Sequence, residues 1–110
     1  MTKYRDGLDG VLHALADPTR RTMLDRMTDG PVSVTDLAAP FGIALPTAMT
    51  HVRVLVDAGL VETTKSGRVR ACALRPGALD EASAWITRRQ RMWAHRLRSL
   101  DRTLEQGETT

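Results

Sequence analysis

The stretch "LPTAMTHVRVLVDAGLV", residues 45–61, places Thr47, Thr50, His51 and Arg53 within two helical turns. Short hydroxyls, an imidazole, a guanidinium and methyl groups suit the base edges, thymine methyls and phosphates of a DNA major groove. Turned at about 100° per residue, the segment sorts into two sides. Leu45, Ala48, Met49, Val52, Leu55 and Val56 share one arc and are expected to face a core. Pro46, Thr47, Thr50, His51, Arg53, Val54 and Asp57 fill the other side. An ordinary surface helix draws on Lys, Glu and Gln. This outer face carries poorer helix formers instead, so it reads as a contact surface and not simply a solvated one.

A second cluster follows at once. Lys65, Arg68, Arg70 and Arg75 fall within a run, 65–75, that contains no acid. Cations there can reach phosphates or enter a minor groove. A basic strand edge also deters aggregation, but that does not account for its position directly after the helix.

Other chemistry is poorly represented. No Ser, His and acid are spaced as a catalytic set, and no glycine-rich loop could cradle a phosphate, so an enzyme is not expected. His13 reads as a packing residue of a first helix. The single cysteine, Cys72, lies in a strand-like run and reads as a small packed hydrophobe, with a redox role as the sharper alternative. The C-terminal segment holds His95 with Asp80, Glu81, Asp101 and Glu105. They do not assemble the roughly four ligands that zinc needs within one helix. We therefore expect neither a metal nor a cofactor.

The elements that must position these residues can be read in order. Leu8, Val11, Leu12 and Leu15 have helical spacing over about 7–15. Asp17-Pro18 is an N-cap followed by proline at the first helical position. The helix after it turns Met23, Leu24 and Met27 inward and stops near Asp29-Gly30-Pro31. Ser33 to Asp36 reads as another cap with an acid three residues on. It opens a short helix through Leu37-Ala38-Ala39 that Pro40 and Gly42 end. The opening segment is the fourth helix, closed by Gly59. Strands are expected over 60–64 and 68–74, joined by Lys65-Ser66-Gly67. A long last helix, about 78–105, carries the stripe Leu79, Ala82, Ile86, Trp93, Leu97, Leu100 and Leu104. Arg88, Arg91, Arg98 and Arg102 lie opposite that stripe, and Trp85 and Met92 beside it. Residues 1–5 and 106–110 are polar and expected to fray.

The fold class is therefore mainly α with a small β-hairpin, in the order α-α-α-α-β-β-α. A short helix, a Gly-containing turn and a longer helix make a helix-turn-helix, about 33–58. The hairpin, about 60–74, makes it the winged variety. A chain of 110 residues with 42% hydrophobic and 26% charged residues is consistent with one soluble domain. One cysteine permits no internal disulfide, and no run approaches a membrane span of about 20 apolar residues. A cytoplasmic protein without a membrane partner is expected. The net charge of +3 permits a polyanion partner without requiring one.

Three segments together resemble the ArsR-type winged-helix repressors: "ALADPTRRTMLDRM" (14–27), "SVTDLAAPFGIALPTAMTHVRVLVDAGLV" (33–61) and "SGRVRACAL" (66–74). The resemblance runs from about Leu8 to Leu104. It implies a homodimeric repressor on a palindromic operator, with double-stranded DNA and a second copy of itself as partners. On that resemblance the groove residues are Pro46, Thr47, Thr50, His51 and Arg53, and the wing residues Lys65, Arg68 and Arg70. The first and last helices form the dimer interface, through Leu8, Leu12, Leu79, Ile86, Trp93, Leu97, Leu100 and Leu104. Many relatives carry Ser or Thr just before the recognition helix. Here Ala44 cannot cap, at a cost of about 1 kcal/mol, which Pro46 offsets in part through its preset φ. The metal-sensing cysteines of many relatives are missing, as is the two-histidine spacing in the last helix. A small-molecule inducer is left open. Two other readings also stay open: a winged-helix interaction module without specific DNA readout, and an atypical metal or redox sensor of the same fold.

Overall fold

In the computed structural model, which describes residues 7–108, the described residues form nine segments of regular structure. They run α1 (Gly7–Leu15), α2 (Pro18–Arg26), β1 (Val32–Ser33), α3 (Val34–Ala38), a 3-10 turn (Ala39–Phe41), α4 (Leu45–Asp57), β2 (Val61–Ser66), β3 (Val69–Leu74) and α5 (Asp80–Glu108). Two compact units result, one ending at Leu79 and the other beginning at Asp80. The expected frayed ends at 1–5 and 109–110 lie outside the described residues, while residues 106–108 continue α5.

Local chemistry sets the helix ends. Asp17 caps α2, its Oδ2 accepting from the Arg20 backbone N–H at 3.0 Å, and Pro18 occupies the first turn. Ser33 Oγ caps α3 by accepting from Asp36 N–H at 3.1 Å. Ala44 gives α4 no side-chain cap, as its methyl requires. At the other end of α4 the chain closes in a Schellman motif. Leu60 N–H donates to the Leu55 carbonyl at 3.0 Å and Gly59 N–H to that of Val56 at 2.9 Å. Gly59 takes φ +77°, a conformation costly for any side chain. Leu55 and Leu60 flank the motif and are both buried.

From α3 with its 3-10 extension to α4 the chain bends by 113°, with Gly42 at φ +62° in the corner. That angle is within the usual helix-turn-helix range. The core of the first unit gathers Met23 and Met27 of α2, Val34 and Leu37 of α3, Ala48, Val52 and Leu55 of α4, and Leu60, Val61 and Cys72, none more than 4% exposed. Leu24, expected inward, is only half-buried.

The sheet holds three antiparallel strands in the order β1-β3-β2, one more than the sequence predicts. β1 is two residues long and pairs Val32 with Cys72 and Ser33 with Ala71. A strand that short has no period of its own and exists through its partner. The hairpin turn also differs from expectation. Ser66 pairs with Val69, so the loop is Gly67-Arg68 rather than Lys65-Ser66-Gly67. Gly67 at φ +60° takes the first loop position, as a two-residue II′ hairpin requires. Arg68 is thereby moved out of the strand and onto the tip.

In the second unit, α5 is a single helix of 29 residues, about 43 Å long. It starts at Asp80, so Leu79 precedes it and belongs to the first unit. Ile86 (43% exposed), Trp93 (60%), Leu97 (61%), Leu100 (54%) and Leu104 (58%) stand out from the helix. Trp85 is shielded in part by the Arg89 guanidinium, 4.2 Å from its ring centre.

Candidate nucleic-acid interface

α4 is seated differently from the simple two-sided expectation. Ala48, Val52 and Leu55 are buried, but Leu45 is 50% and Val56 37% exposed. His51 and Val54, both expected outside, are half-buried. The buried arc is thus rotated toward His51. The reason lies in polar partners: His51 Nδ1 is 3.4 Å from Arg20 Nη1 and 4.0 Å from Asp17 Oδ2. The fully outward set on the first two and a half turns is therefore Leu45, Pro46, Thr47, Thr50 and Arg53, with His51 at its flank.

Thr50 Oγ donates to the Pro46 carbonyl at 3.1 Å. Its proton is occupied within the helix, and what it offers outward is a methyl and an acceptor oxygen. Those match a thymine methyl and the amino groups of adenine or cytosine.

Arg20 is the functional-looking residue that sequence reasoning passed over. Its Nε donates to the Ala14 carbonyl at 2.8 Å and its Nη2 to that of His13 at 3.0 Å. Arg21 Nη1 donates to the Leu15 carbonyl at 2.7 Å. The last carbonyls of α1 have no helical partners, and two guanidinium groups from the next helix meet them. The signal was present in the sequence: α1 ends without a capping glycine, and two arginines follow within six residues.

The wing adds charge. Lys65, Arg68 and Arg70 are all exposed, and Lys65 is directly opposite Arg70 in the strand register. That register places both on the strand face that carries Val61 and Cys72 toward the core. Like charges directly opposite on a sheet destabilise it, so this pair is one that an anion would relieve. An open groove of about 480 Å³ lies between this face and the helices, and Leu45, Met49, Lys65 and Arg70 all line it.

The Arg20 N–H holds the Asp17 carboxyl below its ordinary value of 3.8, with the charges of Arg20 and His51 adding to the effect and burial opposing it. A depressed carboxyl stabilises the fold above its unfolded value, and the benefit fades as pH falls below about 3.8 toward the folded value. Asp17→Ala is thus expected to cost about 1 kcal/mol at pH 7. Urea melts of both proteins from pH 7 to pH 3 should show the gap shrinking at the acid end; a gap that widens there would refute the cap assignment.

A helix-turn-helix domain model matches residues 15–64. The HTH-type transcriptional regulator Rv2034 of Mycobacterium tuberculosis is 35% identical over 97 residues, which cover 88% of this chain and 87% of that one. The arsenical resistance operon repressor of Staphylococcus xylosus is 36% identical over 66% of this chain and 70% of its own. The crystal structure of an ArsR family transcriptional regulator, RHA00566, superposes with a TM-score of 0.74 at 45% identity, covering 79% of this chain and 96% of that chain. The chain belongs to the ArsR family.

As an ArsR-family protein it is a DNA-binding transcriptional regulator with the winged helix-turn-helix fold. Cys72 is fully buried, with Val32 and Thr63 as its strand partners, and burial pushes its thiol up against the weaker pull of Arg70. A buried, protonated thiol is a poor ligand and a poor nucleophile. Among the described residues, no three His, Cys, Asp or Glu side chains are grouped to hold a metal ion. Nor, among the described residues, is any single helix long and apolar enough to cross a membrane.

Proposed function

We propose that this ArsR-family regulator is a cytoplasmic homodimeric repressor that covers a palindromic operator near its own gene and so blocks RNA polymerase. The outward residues Pro46, Thr47, Thr50 and Arg53 of α4, with the half-buried His51 at their flank, read bases in the major groove. Lys65, Arg68 and Arg70 hold flanking phosphates. The observation that carries this reading is the Lys65–Arg70 pair, forced together by the strand register beside the groove that Leu45 and Met49 also line. The second copy covers apolar side chains that are otherwise in water. These are Leu12 (41% exposed) on α1, Leu79 (50% exposed), and Ile86, Trp93, Leu97, Leu100 and Leu104 on α5; Leu8 is half-buried. A two-fold dimer brings its recognition helices about 34 Å apart, one turn of DNA.

A footprint on the DNA upstream of its own gene, followed by a salt titration, tests the reading. Two protected half-sites one turn apart are expected, with binding steeper in salt and tighter than to random duplex. Arg68→Ala should weaken every sequence alike and lower the salt slope by about 1, while Thr50→Ala should relax base preference. If the promoter and random duplex bind equally at every salt concentration, the repressor reading fails.

A further inference from the structure

The geometry around His51 carries an inference that rests on the repressor reading and sharpens it. A guanidinium has only donors. Arg20 is fixed by the Ala14 and His13 carbonyls, at 2.8 and 3.0 Å, and its remaining Nη1 points at His51 Nδ1, 3.4 Å away. A neutral imidazole bonded there must offer Nδ1 as the acceptor, so its proton sits on Nε2. The competing partner, Asp17 Oδ2, is 4.0 Å away, beyond hydrogen-bond reach, and already accepts from Arg20 N–H. Nε2 itself has no partner among the described residues. Among the described residues no buried side-chain nitrogen or oxygen lacks a partner, so Nε2 reaches solvent although the side chain is only 20% exposed.

We propose that Arg20 is a positioning residue for DNA readout: it holds His51 in the tautomer with its proton on Nε2, so that α4 offers DNA a fixed hydrogen-bond donor. The acceptor is a phosphate oxygen or a purine N7, both of which take a single N–H. The ring is locked before DNA arrives, so little side-chain freedom is lost on binding. Sequence-adjacent residues do not supply this lock; it comes from α2, which is 31 positions away in the chain.

The imidazole nitrogen spectrum of 15N-labelled protein at pH 8, in the absence of DNA, reads the tautomer directly. His51 should show an unprotonated Nδ1 and a protonated Nε2, as a single species. In Arg20→Met the nearest partner of Nδ1 becomes the Asp17 carboxylate, an acceptor, and the proton should move to Nδ1. A wild-type Nδ1 that carries the proton, or an Arg20→Met spectrum identical to wild type, would overturn the lock. Because Arg20 also braces α1, the wild-type spectrum is the measurement that does not depend on how the variant folds.

For the DNA half, His51→Phe should lose about tenfold in operator affinity, whereas His51→Gln, which keeps a donor of similar reach, should stay within about threefold. Equal binding by wild type and His51→Phe would refute the donor. Operators carrying single 7-deazapurines or methylphosphonates then identify the acceptor. The substitution that weakens wild type but not His51→Phe marks a base or a phosphate respectively. If wild type shows no preferred DNA at all, the repressor reading falls and takes the donor role with it, while the spectra still decide whether Arg20 sets the tautomer.

Discussion

Leu97→Glu is expected to leave the protein monomeric and to abolish operator binding. Leu97 is 61% exposed on α5, beside Trp93 at 60% and Leu100 at 54%, so its replacement removes nothing from the protomer's own core. An exposed apolar stripe of this kind marks an interface. In a two-fold dimer every residue is used twice. Forfeiting about 2 kcal/mol of leucine burial on each side amounts to ~4 kcal/mol, or about a thousandfold in dimer affinity. The buried glutamates add a further penalty. Sedimentation velocity of the variant and wild type at micromolar concentration reads the mass, and gel shift reads the DNA. A variant that still sediments as a dimer would show that the stripe is not the interface.

The second large effect is on stability. Leu55→Ala should cost about 3 kcal/mol. Leu55 is fully buried, and its carbonyl accepts the Leu60 N–H that closes α4. A domain of this size has about 5–15 kcal/mol in all, so the variant should melt early in urea with an unchanged slope. Thr50→Ala, on the exposed face of the same helix, should change stability by no more than about 0.5 kcal/mol. A loss below 1 kcal/mol for Leu55→Ala would mean that this part of the core collapses around the gap.

Most of the fold was legible because its punctuation is local. Asp17-Pro18, Ser33 with Asp36, and Gly59 each act through hydrogen bonds within a few residues, and each does what its residue type implies. What escaped depends on distant partners. β1 is a strand only because β3 is beside it. Arg68 moved to the hairpin tip because the register of the paired strands, and not the residues alone, set which two make the loop. On α4 the apolar pattern alone assigned Leu45 and Val56 to the interior. The structure turns the helix toward His51, whose polar partners on α2 and its cap compensate the burial of its ring. Thr47, Thr50, Arg53, Lys65, Arg68 and Arg70 were legible as exposed polar residues. The role of Arg20 was not, since it acts through two carbonyls and a ring from other helices.

The wing has one more consequence, for the chemistry of the whole molecule. Nearly all of its basic residues are arginines, and its lysines are Lys3 and Lys65. Lys65 is thus the only primary amine on a side chain among residues 7–108, and it is exposed opposite Arg70. Across the described fold, amine-directed acylation therefore has one address. It erases half of the crowded cationic pair and leaves the arginine surfaces untouched.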